Sequence, residues 1–168
     1  MRPDYGNVMR SLVENDVEWV VIGANAAIAQ GAPIGTIDLD LGYKRTRENA
    51  RRLARALAPF HPRLRGVDEL SSAFRLSAEA IHRGCNFTLV TDAGDVDLLG
   101  HIAGLGNYER MVENAVRLRL FGHSVQVMSL EDVIKSKKAA GRPKDRAVLP
   151  VLEATLKVNR DRESGDGA

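Results

Sequence analysis

Residues 36–42 read Thr-Ile-Asp-Leu-Asp-Leu-Gly, in which apolar and acidic side chains alternate strictly. Successive side chains of a strand point to opposite faces of a sheet, so this stretch predicts a β-strand with Ile37 and the two following leucines on one face. Asp38 and Asp40 then share the other face, and their carboxylates lie close enough to hold one cation between them. The stretch therefore predicts a strand with one apolar and one acidic face.

A second acidic stretch follows later in the chain, where residues 95–99 read Asp-Val-Asp-Leu-Leu. Residues 86–91 and 96–100 are predicted to be antiparallel strands, because the residues between them suit a tight hairpin turn. If the two acidic strands are neighbours, Asp97 meets the first pair of carboxylates, and Asp95 is a weaker candidate for the same place. The sequence thus predicts a cluster of three carboxylates on two strands.

Clustered carboxylates repel one another, which raises their pKa values and lowers stability unless a metal ion or lysines compensate. Carboxylate oxygens are ligands that Mg²⁺ takes in proteins, so the cluster favours Mg²⁺ chemistry on phosphates. The alternative is that the aspartates lie on a solvent-facing surface of the sheet, which is the more common outcome for an isolated Asp-x-Asp.

The segment before the first acidic strand has the form of an anion-binding turn. Residues 17–22 are rich in β-branched and aromatic side chains and predict a buried strand. Gly23, Ala24 and Asn25 follow it and lead into a short helix over residues 24–30. Such a turn presents backbone N–H groups and the positive end of a helix dipole to an anion. Every βα unit has one, so the turn alone is weak evidence.

Basic side chains near the carboxyl end supply candidate phosphate partners. Ser129 and Asp132 form the start of a helix over residues 129–140, and a Gly-Arg-Pro break follows it. Lys137, Arg142 and Lys144 lie on either side of this break. Basic residues on helices usually remain solvated, and a minor-groove hook at Gly-Arg-Pro is given little weight.

The whole pattern of elements predicts an α+β fold with a mixed β-sheet of about five strands and flanking helices. A second hairpin is predicted over residues 116–128, and residues 63–77 are interpreted as a connection. Residues 1–158 are predicted to form a single domain, and residues 159–168 a disordered tail. Apolar residues at helical spacing predict further helices over residues 5–15, 46–58, 78–82, 108–114 and 144–158.

Composition and charge limit the classes of function. The chain has 24 Lys and Arg against 22 Asp and Glu, a formal charge of +2, so charge alone predicts no polyanion partner. The basic helical segments 45–55 and 135–146 leave open a small DNA-binding protein, although such binding normally needs a concentrated basic face. One cysteine, Cys85, excludes an internal disulfide framework, and no apolar run reaches the roughly 18 residues of a membrane span. We therefore expect a cytoplasmic protein without a membrane partner.

Taken in order, these motifs resemble those of the DNA polymerase β-like nucleotidyltransferase superfamily, and within it the abortive-infection toxin-like (AbiEii-type) nucleotidyltransferases. The resemblance covers about residues 17–156, and the ordered combination is more specific than any single motif. Its parts are Gly23-Ala24-Asn25-Ala26, the Thr-x-Asp-x-Asp of residues 36–40, the Val-Asp-Leu-Leu of residues 96–99, and the Ser-Leu-Glu-Asp-x-Ile-x-x-Lys and Arg-Pro-Lys-Asp of residues 129–137 and 142–145.

The resemblance implies a minimal nucleotidyltransferase fold and a role for each matching residue. Asp38 and Asp40 match the pair that binds two Mg²⁺ ions, for which Mn²⁺ could substitute, and Asp97 matches the third carboxylate of the metal site. The remaining matches are with residues that bind the nucleoside triphosphate: Gly23, Ala24, Asn25, Thr36, Lys137, Arg142 and Lys144.

The implied activity is transfer of a nucleoside monophosphate from a nucleoside triphosphate to an acceptor, with release of pyrophosphate. Toxin-type relatives imply RNA as an acceptor and an antitoxin protein as a partner. Ala24 removes a hydroxyl that relatives offer to phosphate, and Ile34 and Ile37 replace basic residues, so a weakened grip on the triphosphate is expected. The alternative function is a non-catalytic module of the same fold that binds a nucleotide or a partner protein.

Overall fold

Within residues 2–67 and 75–166, which the computed structural model describes, the chain forms one seven-stranded sheet in the order β3-β4-β5-β2-β1-β7-β6. The strands are β1 (Trp19–Val21), β2 (Leu39–Tyr43), β3 (Arg63–Leu64), β4 (Asn86–Thr91), β5 (Gly94–Leu99), β6 (Val116–Leu120) and β7 (His123–Val127). The α-helices are α1 (Tyr5–Glu14), α2 (Gly23–Ala29), α3 (Arg47–Leu57), α4 (Ala78–Arg83), α5 (Tyr108–Val112), α6 (Leu130–Ala140) and α7 (Pro143–Gly165).

The sheet is mixed, as predicted. Strand β2 runs parallel to β5 and β1 runs parallel to β7, whereas the other neighbouring strands are antiparallel. Both predicted hairpins, β4-β5 and β6-β7, are confirmed. The predicted number of strands was too low, since the sheet has seven strands and not about five. Strand β3 has only two residues, too few to show alternation, so no sequence pattern signals it.

The helices pack beside the sheet in two groups, and the helices within each group contact one another. Helix α1 contacts α3, and α3 contacts α4, while α2 contacts α6, and α6 contacts α7. The apolar face of the acidic strand is buried as predicted for Leu39 and Leu41, each 1% exposed. Burial of such leucines stabilises the fold by about 1.5–3 kcal/mol per side chain. The opposite, acidic face of the same strand is consequently held in a fixed position.

Residue Ile37 departs from the predicted alternation. Its side chain is 78% exposed, because β2 begins only at Leu39 and the residues before it lie in a bend. The predicted strand over residues 36–42 is therefore three residues too long at its start.

The carboxyl-terminal helix is longer than predicted. Helix α7 continues past residue 158 and ends at Gly165, so the prediction of a disordered tail was wrong for residues 159–165. Two contacts hold this part of the helix. The side chain of Asn159 donates to the carbonyl oxygen of Gln30 at 2.9 Å, and Arg160 pairs with Glu131 at 2.5 Å. Residues 167 and 168 lie outside the described ranges.

One predicted segment is only partly described. The predicted connection over residues 63–77 contains β3 at its start, and its residues 68–74 lie outside the described ranges. Among the helices of residues 2–67 and 75–166, none combines the length and the apolar character that crossing a membrane requires.

Candidate functional site

The acidic residues of the two predicted strands lie side by side in the sheet. Strands β2 and β5 are parallel neighbours, and the Cα partner of Asp40 is Asp97. Leu39 and Val96 are also partners, so Asp38 and Asp95 lie level with each other one residue earlier. In a parallel pair of strands, partner residues project to the same face of the sheet. The predicted cluster of carboxylates from two strands is therefore present, and it has four members, not three.

Arg65 directly follows the edge strand β3, and its side chain lies against this acidic face. Its guanidinium is 2.9 Å from Asp97 Oδ1, 3.4 Å from Asp95 Oδ2 and 3.7 Å from Asp38 Oδ2. The Nη2 group also donates to the carbonyl oxygen of Leu89, at 3.0 Å. One cation thus contacts three of the four carboxylates. Asp40 is the member of the cluster that has no recorded ion pair with Arg65.

Asp40 is the most deeply placed carboxylate of the cluster. Burial, followed by the negative charges of Asp97 and Asp38, raises its pKa to about 6, and Lys137 and Lys144 only partly oppose this. Burial also raises the pKa of Asp97, where the Arg65 charge acts in the opposite direction. Burial is thus the main cause of the raised pKa of both carboxyl groups.

The turn between β1 and α2 is built closely around Asp40. Gly23 has a φ of +61°, and a Cβ atom at this position would lie 2.6 Å from Asp40 Oδ2. The side chain of Asn25 accepts a hydrogen bond from the backbone N–H of Asp40, at 2.9 Å. Glycine is thus required here both by the backbone conformation and by the close approach of the carboxylate. The predicted turn residues Gly23 and Asn25 are positioned beside the metal-binding candidates.

Lys137 and Arg142 are brought together by a buried carboxylate. Asp145 is 1% exposed, and its Oδ2 accepts a hydrogen bond from Arg142 Nε at 2.6 Å. Its Oδ1 lies 3.5 Å from Lys137 Nζ. Gly141 ends α6 in a left-handed conformation, with a φ of +63°, and allows α7 to begin two residues later. The helix-break-helix unit therefore fixes a lysine and an arginine at the border of the acidic face.

A cavity of about 290 Å³ lies between the acidic face and the α6–α7 junction. Asp40, Lys137 and Arg142 all line it, together with the buried Asp145. Ile22, Leu99, Ile102, Met128 and Val133 form much of the apolar part of the wall. The cavity combines two positive groups, two carboxylates and apolar surface, a mixture that is common in pockets for small molecules.

Three of the predicted nucleotide-binding residues, Thr36, Ala24 and Lys144, do not line this cavity. Thr36 is exposed, and its hydroxyl oxygen exchanges weak hydrogen bonds with the backbone of Asp38, at 3.3 and 3.4 Å. It supports the bend that leads into β2 and does not line the cavity. Ala24 is half-buried in the first turn of α2 and offers no side-chain contact to the cavity. Lys144 is exposed on α7, and its charge lowers the pKa of Asp40.

Tyr5 of α1 ties the two acidic strands together at their start. Its hydroxyl oxygen is hydrogen-bonded to the carbonyl oxygen of Ile37 and, at 3.0 Å, to that of Asp95. A phenolic hydroxyl has one proton, which these two carbonyl groups share. The side chain therefore fixes the spacing of the chain segments that carry Asp38 and Asp95.

The donor set of the acidic face fits a hard divalent cation. Carboxylate oxygens from adjacent strands are typical ligands of Mg²⁺ and Mn²⁺, and Arg65 already occupies the face as a positive group. The arrangement is not preformed for an ion, since no three carboxylate, imidazole or thiol side chains in the described part of the chain surround a common point at ligand distance. Asp38, Asp40 and Asp97 are the residues that would hold such an ion.

Comparison with known proteins supports the fold at low sequence identity. A crystal structure described as that of a "putative nucleotidyltransferase", TM1012 of Thermotoga maritima, superimposes with a TM-score of 0.56 at 20% identity, covering 89% of this chain and 92% of that chain. No protein-family model matches the sequence. No curated protein matches it either. The chain therefore shares the fold of this structure.

Sequence reasoning did not single out two residues of this site. Arg65 belongs to a stretch without regular hydrophobic spacing, and nothing in its neighbours shows that it crosses β4 to reach β5. The sequence pattern around Tyr5 predicts only an amphipathic helix. Both residues act through contacts of more than 30 positions in sequence separation, which local patterns do not encode.

Proposed function

We propose that this chain is a metal-dependent nucleotidyltransferase. It would transfer a nucleoside monophosphate from a nucleoside triphosphate to an acceptor hydroxyl and release pyrophosphate. The observation that supports this most is the register of Asp40 and Asp97 in adjacent parallel strands, next to a cavity lined by Lys137 and Arg142. Carboxylates and basic side chains thus lie at one border of the sheet, which supports the proposed roles in binding metal and phosphate.

The acceptor oxygen would attack the α-phosphorus in line and form a new P–O bond, its proton would pass to water, and the bond to the pyrophosphate oxygen would break. Mg²⁺ or Mn²⁺ bound at Asp38, Asp40 and Asp97 would act as a Lewis acid toward the attacking and leaving oxygens. The protein's own contribution is positioning and charge, because little covalent chemistry is left to side chains.

The phosphates would lie toward the cavity. Lys137 and Arg142 supply positive charge there, and Lys144 adds to the field at Asp40. The backbone at Gly23 approaches Asp40 without an intervening side chain, so the turn lies directly against the acidic face. Ala24 and Asn25 extend this turn, and Thr36 contributes by holding the bend before β2.

The proposal also includes the acceptor and the subfamily of the enzyme. The order of motifs resembles the AbiEii-type toxins, which favours RNA as the acceptor and an antitoxin protein as a partner. This part of the proposal rests on the motif resemblance alone, and the transfer assay below includes RNA among its acceptors for this reason.

The proposal is tested by incubating the protein with each labelled nucleoside triphosphate in the presence of Mg²⁺ or Mn²⁺. Total RNA, protein and small-molecule acceptors are offered in separate reactions, and labelled product and pyrophosphate are measured. The Asp38→Asn/Asp40→Asn double variant should lose the activity. Asp161→Asn, an exposed position on α7, serves as the control and should retain it. Absence of transfer to every acceptor would contradict the proposal.

One observation favours the second candidate function, a non-catalytic module that binds a nucleotide. Arg65 neutralises part of the acidic face, and such a face can be held in a stable protein without a metal ion. Calorimetry distinguishes the two functions. Nucleotide binding without release of pyrophosphate in any acceptor reaction would support the module.

A further inference from the structure

Helix α7 has two apolar faces, of which the described residues cover one. The covered face includes Leu152 and Thr155, which are buried. The other face is a row of small and β-branched residues spaced four, three and four positions apart, which places them on one side of a helix. We call this row the α7 stripe, and its members are Ala147, Val151, Ala154 and Val158.

The α7 stripe is open to solvent along most of its length. Val158 is 47% exposed, Ala147 and Ala154 are exposed, and Val151 is partly buried. Single exposed apolar residues are common, but a continuous row of them marks a surface that another molecule covers. The stripe is therefore a candidate docking surface.

A groove of about 490 Å³ runs beside the stripe. One wall is α7, and the other is the loop after α2, which contributes Gly31 and Pro33. A Cβ atom at Gly31 would meet no atom within 4 Å, so this wall is not filled by neighbouring side chains. The distance between two packed helices depends on the side chains at their contact, and the two alanines of the stripe leave room for a close approach.

Positive charge borders the stripe. Three basic residues flank it or continue it, and all are exposed: Arg146, Lys157 and Arg162. None of the three forms an ion pair within the described part of the chain, where the ion pairs of α7 use other side chains. The acidic residue on the same side of α7 is Asp161, three positions after Val158. The rim of the groove thus has an excess of positive charge that the described residues leave uncompensated.

This charge favours an acidic occupant over a second copy of the chain. A second copy would bring the same basic side chains to the interface, and like charges that face each other oppose association. A helix with acidic residues beside its apolar row would instead pair with Lys157 and Arg162. The apolar spacing selects the shape of the occupant, and the rim selects its charge.

We propose that the α7 stripe and its groove bind an acidic amphipathic helix of a partner protein. The apolar side of that helix packs on Val151, Ala154 and Val158, and its flanking carboxylates face the basic rim. Helix-in-groove recognition uses anchors at these spacings. The groove and the cavity beside Asp40 share no lining residue, so the inference does not depend on nucleotide transfer.

The experiment titrates the full chain into three fluorescently labelled peptides and measures anisotropy. Each peptide has about 15 residues, enough to follow the stripe as a helix. The first has leucines at the spacing of the stripe and glutamates beside them, the second has lysines in place of the glutamates, and the third is a scrambled form of the first. We expect saturable binding of the first peptide, about 10-fold or more tighter than that of the other two.

Two variants locate the binding. Lys157→Glu/Arg162→Glu should weaken binding of the acidic peptide by about 5–10-fold, because two ion pairs with it are lost. The matched control is Arg51→Glu/Arg55→Glu on α3, which changes the net charge equally at two exposed positions and should bind as the wild type does. Val158→Gln removes an apolar anchor without a change of charge and should also weaken binding.

Several results would overturn the inference. These are no saturable binding of the acidic peptide at about 1 mM, equal affinity for the three peptides, and equal weakening by the rim variant and its control. Sedimentation tests the other occupant, because a dimer that Val158→Gln dissociates would show that a second copy covers the stripe. If circular dichroism shows that the rim variant does not fold, Arg162→Gln replaces it, with about 2–3-fold weaker binding expected and unchanged binding overturning the inference.

The inference and the proposed function fail separately. The rim variant should transfer nucleotide at the wild-type rate, because Lys157 and Arg162 do not line the cavity beside Asp40. A transfer assay without product would contradict the proposed function and leave the peptide result unchanged.

Discussion

Asp40 and Asp97 are register partners in two adjacent parallel strands, although 57 positions separate them in the chain. Their side chains lie on one face of the sheet, opposite the buried leucines of β2. Partner positions in a parallel pair are about 4.8 Å apart between strands, a distance over which two carboxylates can ligate neighbouring ions. This relationship leads to the first prediction.

Asp97→Asn should lower the rate of nucleotide transfer by at least about 100-fold, the range seen when one preorganised electrostatic group is removed. The amide keeps the shape of the side chain and loses its charge, so the fold should persist. The measurement is the initial rate of pyrophosphate release, with circular dichroism as the check on folding. Asp161→Asn is the control, and a rate for Asp97→Asn within a few-fold of this control would contradict the assigned role.

The raised pKa of Asp40 predicts an unusual dependence of the free energy of unfolding on pH. Burial and neighbouring negative charges raise its pKa to about 6, whereas an unfolded aspartate titrates near 3.9. Between about pH 4 and pH 6 the folded chain binds more protons than the unfolded chain, so this group makes stability fall as the pH rises. Above about pH 6 Asp40 is ionised in the folded chain as well, and its full destabilising effect is present.

Asp40→Asn removes that penalty. The variant should be more stable than the wild type by on the order of 1–3 kcal/mol at pH 8, and the difference should vanish near pH 4. Urea unfolding at both pH values with a chelator present measures it. Loss of stability at pH 8 in the variant would show that Asp40 is compensated in the folded chain.

Gly23→Ala should disturb both the fold and the site. The left-handed conformation costs about 1 kcal/mol for a residue with a Cβ, and the added atom would also press on Asp40. Gly31→Ala is the matched control, because Gly31 has a φ of +99° and open space around the added Cβ. Urea unfolding should show the larger loss for Gly23→Ala, and only this variant should lose transfer activity. Equal losses of stability and activity in the two variants would contradict the close approach of Gly23 to Asp40.

The buried carboxylate of Asp145 should contribute more to stability than a carboxylate in an exposed ion pair. Burial alone would raise the pKa of Asp145, but the hydrogen bond and charge of Arg142, with the charge of Lys137, lower it. Its contribution to stability is present at neutral pH and is lost as the pH falls through its lowered pKa. Asp145→Ala should cost about 1.5–3 kcal/mol at pH 7, the range for the loss of hydrogen bonds to charged groups.

Glu153→Gln is the control for this change, since Glu153 pairs with Lys138 at 2.8 Å across the same two helices but is exposed. It should cost less than about 1 kcal/mol. Urea unfolding at pH 7 distinguishes the two variants. Similar losses would mean that the junction of α6 and α7 does not depend on the buried carboxylate.

Alternation and hairpin turns in the sequence predicted most of the sheet. The strict alternation around Asp40 and the turn before Gly94 follow from local geometry, and both hairpins have the predicted partners. The two-residue strand β3 was missed because two residues carry no period. The helical part of the predicted tail was missed for a different reason: polar residues 159–165 form helix by extending α7 and by contacts such as Asn159 with Gln30, not by an apolar stripe.

The candidate site was predictable where the motif is local and unpredictable where it depends on tertiary contact. Asp38, Asp40 and Asp97 stand at recognisable spacings, and the structure brings them together. Arg65 and Tyr5 reach the site through long-range contacts with Asp97 and Asp95. Their roles depend on the order of strands in the sheet, which the sequence pattern does not specify.

The most direct test of the central claim is anomalous diffraction from crystals grown with Mn²⁺ and a non-hydrolysable nucleoside triphosphate. The account predicts a manganese peak within ligand distance of Asp38 and Asp40, with the triphosphate beside Lys137 and Arg142. Manganese and nucleotide bound elsewhere on the protein, with Asp38, Asp95 and Asp97 still held by Arg65, would contradict it.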